Sequence, residues 1–408
     1  LGQRLLDRVV PADTRRLPGE DAGDAVVRLG LALDGQVLAV QGPPGSGKTR
    51  AASRLIRALL DSGKKVGVTA TSHAVIGTVL SAVGRPALQK CEEHQACGAP
   101  GVEWSKDSAD VASQLLDGTA SLVGGTSWFW ARPDLAEAVD VLVVDEAGQF
   151  SLANAVAVAR SARSLVLLGD PQQLAQPTQA VHPGESGLSA LEHLLDGHLT
   201  VPEDRGVFLD RTYRMHPALT AFVSDLAYEG RLESAAGRER IAVDGRASGL
   251  AARFVEHAQP SMAASPDEAS AVAALWHSLQ GVGWTDASGQ RSPIGPDDVL
   301  VVAPYNNQVA LIRRALPDGA RVGTVDKFQG QEAPVVVYSM TSTSAEDAPR
   351  GVSFLYDLHR LNVAVSRAKA QAVVVMSGEL LDAAVRTPEQ LRQVNALCRL
   401  VEMASVVR

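Results

Sequence analysis

The octapeptide Gly42-Pro43-Pro44-Gly45-Ser46-Gly47-Lys48-Thr49 fits G-x-x-x-x-G-K-[ST] at every fixed position. A loop of this composition turns its backbone N–H groups inward around phosphate oxygens, at the positive end of the helix that follows. Lys48 then reaches the β- and γ-phosphates of a nucleotide, and Thr49 holds Mg²⁺. Further along, Val141-Leu142-Val143-Val144-Asp145-Glu146 is an apolar run ending in two acids. Asp145 is placed to hold Mg²⁺ through water, and Glu146 to polarise an attacking water. An acid pair at a strand end also caps the start of a helix. Its company with the phosphate loop favours hydrolysis, because P-loop hydrolases use that pairing.

Four more segments carry polar residues at conspicuous places. Gly169-Asp170-Pro171-Gln172-Gln173-Leu174 follows an apolar run, so Gln173 stands where a γ-phosphate can be sensed. Arg211–Pro217 offers Arg214 and His216, Thr324–Glu332 offers Gly330 and Glu332, and Asn362–Lys369 offers Arg367. Singly, the arginines read as surface ion pairs and His216-Pro217 as the start of a helix.

The elements that must position these residues are legible as short, continuous apolar runs. Val37–Val40, Val66–Thr69, Ser121–Val123, Val141–Val144 and Leu165–Leu168 form one series. Val299–Val302, Val322–Thr324, Val335–Tyr338 and Ala372–Met376 form another. Continuous rather than alternating runs mark parallel strands covered on both faces, and the intervening helical patterns predict two α/β sheets in tandem. A length of 408 residues suits two domains. Pro202, two acids and Gly206 put the break near Thr200–Gly206, giving residues 1–204 and 205–408. Loops are expected at Gln176–Gly187, Gly281–Asp297 and Thr341–Gly351, and a helix interrupted at Pro388 from Gly378 onward.

Composition narrows the classes. With 46% hydrophobic and 21% charged residues the chain is globular, and it holds no apolar run of the ~18 residues a membrane span needs. Three cysteines exclude a disulfide framework and point to a reducing, cytoplasmic setting. Cys91, His94 and Cys97 cluster without a fourth ligand, which favours an exposed loop over a zinc site. A net charge of −8 argues against coating nucleic acid by bulk attraction, and leaves room for a locally lined groove. The chain begins at Leu1 rather than Met and carries no signal peptide, so it reads as a piece of something longer.

Taken together and in order, the segments resemble the superfamily 1 helicases, in the Upf-like branch that includes the DNA2/NAM7 type. Motif I is similar to Gly42–Thr49, Ia to Thr69–Val75, Ic to Thr126–Trp128, and II to Asp145–Gln149. Motif III is similar to Gly169–Leu174, IV to Tyr213–Pro217, V to Thr324–Glu332, and VI to Asn362–Lys369. The resemblance implies two tandem RecA-like domains with an ATP cleft between them, the first supplying the phosphate loop and acids. It implies Arg214 and Arg367 as arginine fingers, and Gln173, Gly330 and Glu332 as nucleotide-coupling residues. It also implies a 5′-to-3′ motor on single-stranded nucleic acid, DNA ahead of RNA, acting as a monomer with ATP and Mg²⁺.

Thr71, Ser72, His73, Thr126 and Thr324 are the strand contacts this likeness implies; hydroxyls and backbone amides there suit phosphates without reading bases. Trp128, Phe129 and Trp130 are read mainly as packing, with base stacking the sharper alternative. Two departures stand out. The adenine-reading glutamine that many relatives carry upstream of the phosphate loop has no counterpart, since Gln3 and Gln36 are poorly placed and Pro18-Gly19-Glu20-Asp21 occupies the region. No segment is large enough for the accessory β-barrel of some relatives. Bacterial relatives are often fused to a RecB-like nuclease, which would account for a start in mid-protein. A nucleotide-gated clamp serving such a nuclease is the competing class, whereas a P-loop kinase or signalling GTPase leaves motifs IV to VI unexplained.

Overall fold

The computed structural model describes residues 1–174, 183–328 and 330–407. Most of the loop expected at Gln176–Gly187, and Gln329 of motif V, lie outside the described residues. The chain forms two compact units, Leu1–Asp210 and Arg211–Arg408.

The first unit holds strands β1 (Val37–Gln41), β2 (Val66–Thr69), β3 (Ala87–Lys90), β4 (Val102–Ser105), β5 (Leu122–Gly124), β6 (Val139–Val144), β7 (Ala162–Gly169) and β8 (Gly206–Phe208). Their spatial order is β4-β3-β5-β2-β6-β7-β1-β8, and every pairing is parallel. On one face Leu38, Val40, Val66, Val68, Val141, Val143, Val166 and Leu168 share a core with helices Ala22–Leu31, Lys48–Asp61 and His73–Val83. The alternating residues Ala39, Leu142, Val144, Leu165 and Leu167 are buried as completely on the other face. This double burial, about 1.5–3 kcal/mol for each large side chain, is why the strands read as continuous apolar runs. The helix after the phosphate loop follows the same logic, burying Ala51, Ala52, Leu55, Ile56 and Leu59 on one side at helical spacing.

Because all eight strands run the same way, their C-terminal ends share one edge, where ligands of open α/β sheets bind. Along that edge from β1 toward β4 come the phosphate loop, Asp170 and Gln173, Asp145 and Glu146, Thr71–His73, Thr126, Lys90 and Lys106.

The second unit has a six-stranded parallel sheet in the order Arg321–Thr324, Val299–Ala303, Ala333–Ser339, Ala368–Met376, Gly249–Phe254, Ser405–Val406. Val299, Val301, Val335, Val337, Val373 and Val375 form its core with helices Pro266–Leu279 and Asn306–Ala315. The expected fold class, tandem RecA-like α/β units with parallel sheets, is the one observed. Two local expectations change. The span Gly281–Asp297 is not wholly loop, since Gly283–Thr285 and Arg291–Pro293 pair antiparallel. Pro388 does not interrupt a helix: it occupies the first turn of helix Pro388–Met403, where its missing N–H is harmless. Among the described residues no helix is long and apolar enough to cross a membrane.

Candidate active site

The phosphate loop leaves β1 and enters helix Lys48–Asp61. Gly45 (φ +72°) and Gly47 (φ +82°) take left-handed backbone that a side chain would strain, and this turns the loop's N–H groups inward. Gly47 caps the helix without a side-chain acceptor, so the first N–H groups remain available to an anion. Lys48 Nζ donates to the Gly42 carbonyl at 2.7 Å, and Ser46 Oγ is buried with no hydrogen-bond partner. A buried hydroxyl without a partner is costly. A phosphate in the loop would satisfy it and give Lys48 a charged acceptor, so these residues fit a nucleotide triphosphate.

The acid pair sits at the end of β6. Asp145 is only 5% exposed, and its backbone N–H donates to Thr69 O at 2.9 Å. Burial, and then the neighbouring Glu146 charge, push its carboxyl up to about 6 against a hydrogen bond from Glu146 N and the Lys48 charge. Glu146 itself holds a left-handed φ of +55°, a conformation that costs a non-glycine residue on the order of 1 kcal/mol or more. Its N–H donates to Asp145 Oδ1 at 2.9 Å. A buried carboxylate beside a second acid, with the Thr49 hydroxyl in the first turn of helix Lys48–Asp61, is an all-oxygen donor set suited to a hard divalent cation.

The last residues of β7 bind these two parts together. Gly42 N donates to Gly169 O at 2.8 Å, and Ala147 N donates to Leu168 O at 2.7 Å. A Cβ on Gly169 would stand 2.4 Å from Gly148 N and 2.6 Å from Ala147 N, so only glycine permits this approach. Beyond it, Gln173 Nε2 donates to Asp170 Oδ2 at 2.9 Å, with both residues buried. The structure therefore brings Lys48, Thr49, Asp145, Glu146 and Gln173 to three adjacent strand ends.

In the second unit a different edge is occupied. Glu332 precedes strand Ala333–Ser339 and Arg367 precedes strand Ala368–Met376, with Ala333 N donating to Arg367 O at 3.0 Å. Glu332 stands between two cations: Arg214 Nε at 2.6 Å and Lys369 Nζ at 2.9 Å. Arg214 also donates through Nη1 to the Ser366 carbonyl at 2.9 Å. Burial pushes the Glu332 carboxyl up, but the Arg214 charge and bonds from Lys369 and Arg214 outweigh it, leaving it below the usual range. Arg367 is 2% exposed. Arg214, Glu332 and Arg367 are thus brought together at the N-terminal edge of the sheet. Thr324 ends its strand at the opposite edge, and Gly330 (φ +79°) turns the loop between them. Lys369, which sequence reasoning did not single out, completes the cluster; its place inside motif VI was the available signal. His216 caps helix Pro217–Ala227, its Nδ1 accepting from Ala218 N at 3.1 Å, and burial lowers its pKa in keeping with that acceptor role.

Among the expected strand contacts, Thr71 and Ser72 are exposed, His73 and Thr126 half-buried, and Ser72 Oγ caps helix His73–Val83. Gln36 immediately precedes β1, at the end away from the phosphate loop, and Gln3 Nε2 donates to Asp7. Neither stands at the phosphate loop. Among the described residues no group of three or more His, Cys, Asp or Glu is arranged to hold a metal.

Two outcomes follow from this geometry. Gly169→Ala should destabilise the chain by about 1–3 kcal/mol, seen as a lower urea midpoint, because backbone must move to admit the methyl; an unchanged midpoint would contradict the close approach. Glu332 has a folded pKa below its unfolded value, so it stabilises at neutral pH and loses that contribution as pH falls through the lowered value. Glu332→Gln should therefore be less stable than the parent at pH 7, with the difference shrinking as pH falls below the usual carboxylate range. A gap that stays constant with pH would show that the charge is immaterial.

Comparison with known proteins agrees with this geometry. A family model described as AAA domain matches residues 24–237, more than half of the chain, and another of the same description matches 187–379. The chain is 25% identical over 397 residues to the DNA replication ATP-dependent helicase/nuclease JHS1 of Arabidopsis thaliana, covering 88% of this chain and 28% of that protein. It is 26% identical over 361 residues to DNA replication ATP-dependent helicase/nuclease DNA2 of Gallus gallus, covering 82% and 34%. It is 24% identical over 411 residues to the regulator of nonsense transcripts 1 homolog of Drosophila melanogaster, covering 86% and 34%. The chain thus spans about a third of the length of these relatives. It belongs to the AAA-domain family, in the superfamily 1 helicase branch of the DNA2 and Upf type.

Proposed function

We propose that this chain hydrolyses ATP and uses the cycle to move along single-stranded nucleic acid, DNA ahead of RNA, in the 5′-to-3′ sense. The observation that carries the reading is one sheet edge on which two sets of residues lie side by side. The phosphate loop, Asp145–Glu146 and Gln173 end β1, β6 and β7, and Thr71–His73 and Thr126 follow the next two strands, β2 and β5. Nucleotide chemistry and strand contact then share a rigid element.

In this reading the loop N–H groups and Lys48 hold the β- and γ-phosphates, and Ser46 Oγ gains the acceptor it lacks. Mg²⁺, when bound by Thr49 and Asp145, supplies positive charge to the phosphate oxygens. Glu146, on its left-handed backbone, orients the attacking water and takes its proton. Gln173, tied to Asp170, monitors whether the γ-phosphate is present. Arg214 and Arg367 are the arginine fingers carried by the second unit, and Glu332 stores Arg214 until a more highly charged phosphate competes for it. Alternation between the two partners couples hydrolysis to stepping.

The relatives named helicase/nuclease support a longer protein in which a nuclease accompanies this motor. Three free cysteines suit a cytoplasmic setting, and a monomer suffices for the proposed cycle.

Replacing the water-orienting group separates binding from chemistry. Glu146→Gln should still bind a fluorescent ATP analogue while its turnover falls by about a hundredfold or more. Lys48→Ala should lose both. Normal turnover in Glu146→Gln would remove Glu146 from the role given to it here.

A further inference from the structure

The three aromatics after β5 divide unevenly. Trp130 is fully buried, its Nε1 donating to the Val68 carbonyl of β2 at 3.1 Å, and Phe129 is buried against it edge-to-face at 5.1 Å. These two anchors fix the short helix Ser127–Trp130 onto the sheet, with Gly125 N bonded to Val68 O at 3.0 Å. Trp128 is left on the outside at 87% exposure, more than any other large hydrophobic residue described. An indole held out on an anchored turn has already lost much of the freedom that binding would otherwise cost. Solvent gives it no return for the exposed area.

Its surroundings say what would cover it. Trp128 lies one strand beyond Thr71–His73, on the face proposed above for strand contact. Beyond β5 the sheet continues through β3 and β4, whose ends carry Lys90 and the exposed Lys106. Neither lysine has an ion-pair partner among the described residues, whereas nearby Asp107 accepts from Ala109 N and Asp110 N, and Asp134 pairs with Arg132. Lys90 and His94 also act electrostatically on His73, which places them at the same end of the sheet. A flat apolar post flanked by hydroxyls on one side and unpaired lysines on the other suits a ligand with a planar base and an anionic backbone.

Resting on the strand-contact reading, we propose that Trp128 is a base-stacking post. The strand's path across the first unit continues outward past β5, with Lys90 taking a phosphate at the end of β3. The contact is to the π-face of a base, so it is indifferent to sequence and to the sugar.

The test is fluorescence anisotropy with end-labelled oligonucleotides of one length: oligo-dT, oligo-rU, and an abasic sugar-phosphate strand. The parent should prefer both base-bearing strands to the abasic one. Trp128→Ala should lose about tenfold in affinity for oligo-dT and oligo-rU alike while binding the abasic strand unchanged. Trp128→Phe should keep most of the preference. Lys90→Ala should weaken all three strands together and flatten the salt dependence. Binding of a fluorescent ATP analogue by each variant verifies the fold. A Trp128→Ala protein that keeps the parent's preference for bases overturns the post and leaves the strand-contact reading standing. A parent that binds none of the strands at low salt overturns both.

Discussion

Two backbone carbonyls at the end of β7 bear the weight of the first unit's chemistry. Leu168 O takes the N–H of Ala147 and Gly169 O takes the N–H of Gly42. One strand end thereby fixes the acid pair on one side and the phosphate loop on the other. The arrangement needs backbone contact on both flanks, and the absence of a side chain at Gly169 is what allows it. Lys48, Asp145 and Glu146 come from β-strand ends far apart in sequence; their common position is a consequence of parallel strand order and of this single close approach.

The same strand order apportions the edge. From β1 to β6 it carries the phosphate loop, Gln173 and the acid pair, and from β2 outward it presents hydroxyls, an exposed indole and lysines. With neighbouring strands about 4.8 Å apart, Gln173 after β7 stands three spacings, about 14 Å, from Thr126 after β5 through contiguous sheet. Coupling then needs no long relay within this unit. The second unit builds its charged cluster differently, around a single carboxylate that holds Arg214 and Lys369 at once. A carboxylate between two cations is a replaceable partner: a phosphate with more charge can take one of them without leaving the other unpaired.

Much of this was legible in the sequence, and for a physical reason. Strands buried on both faces must be apolar throughout, so Val37–Val40 and Val141–Val144 announced themselves, and the residues just past their ends could be placed on one edge. Short or peripheral strands carry no such signature. β4 has exposed positions at Glu103 and Trp104, β3 is four residues long, and β8 is three residues following a Pro-and-acid loop. Nor does sequence spacing reveal which cations share Glu332, because Arg214, Glu332 and Lys369 meet only through the packing of three segments. The left-handed backbone of Glu146 is equally silent, since nothing in its residue type asks for it. Of Trp128, Phe129 and Trp130, residue type favoured packing for all three; the structure buries two and exposes the one that no helical or strand period singled out.

If the nucleotide site and the strand face of the first unit act as one machine, hydrolysis must answer to the strand. Steady-state ATP hydrolysis, measured with and without a single-stranded oligonucleotide and with Lys48→Ala as the blank, tests it most directly. Slow hydrolysis alone and a rise of at least tenfold at saturating strand, absent in Lys48→Ala, are expected. Turnover that is indifferent to single strands of every length and of either sugar would contradict it.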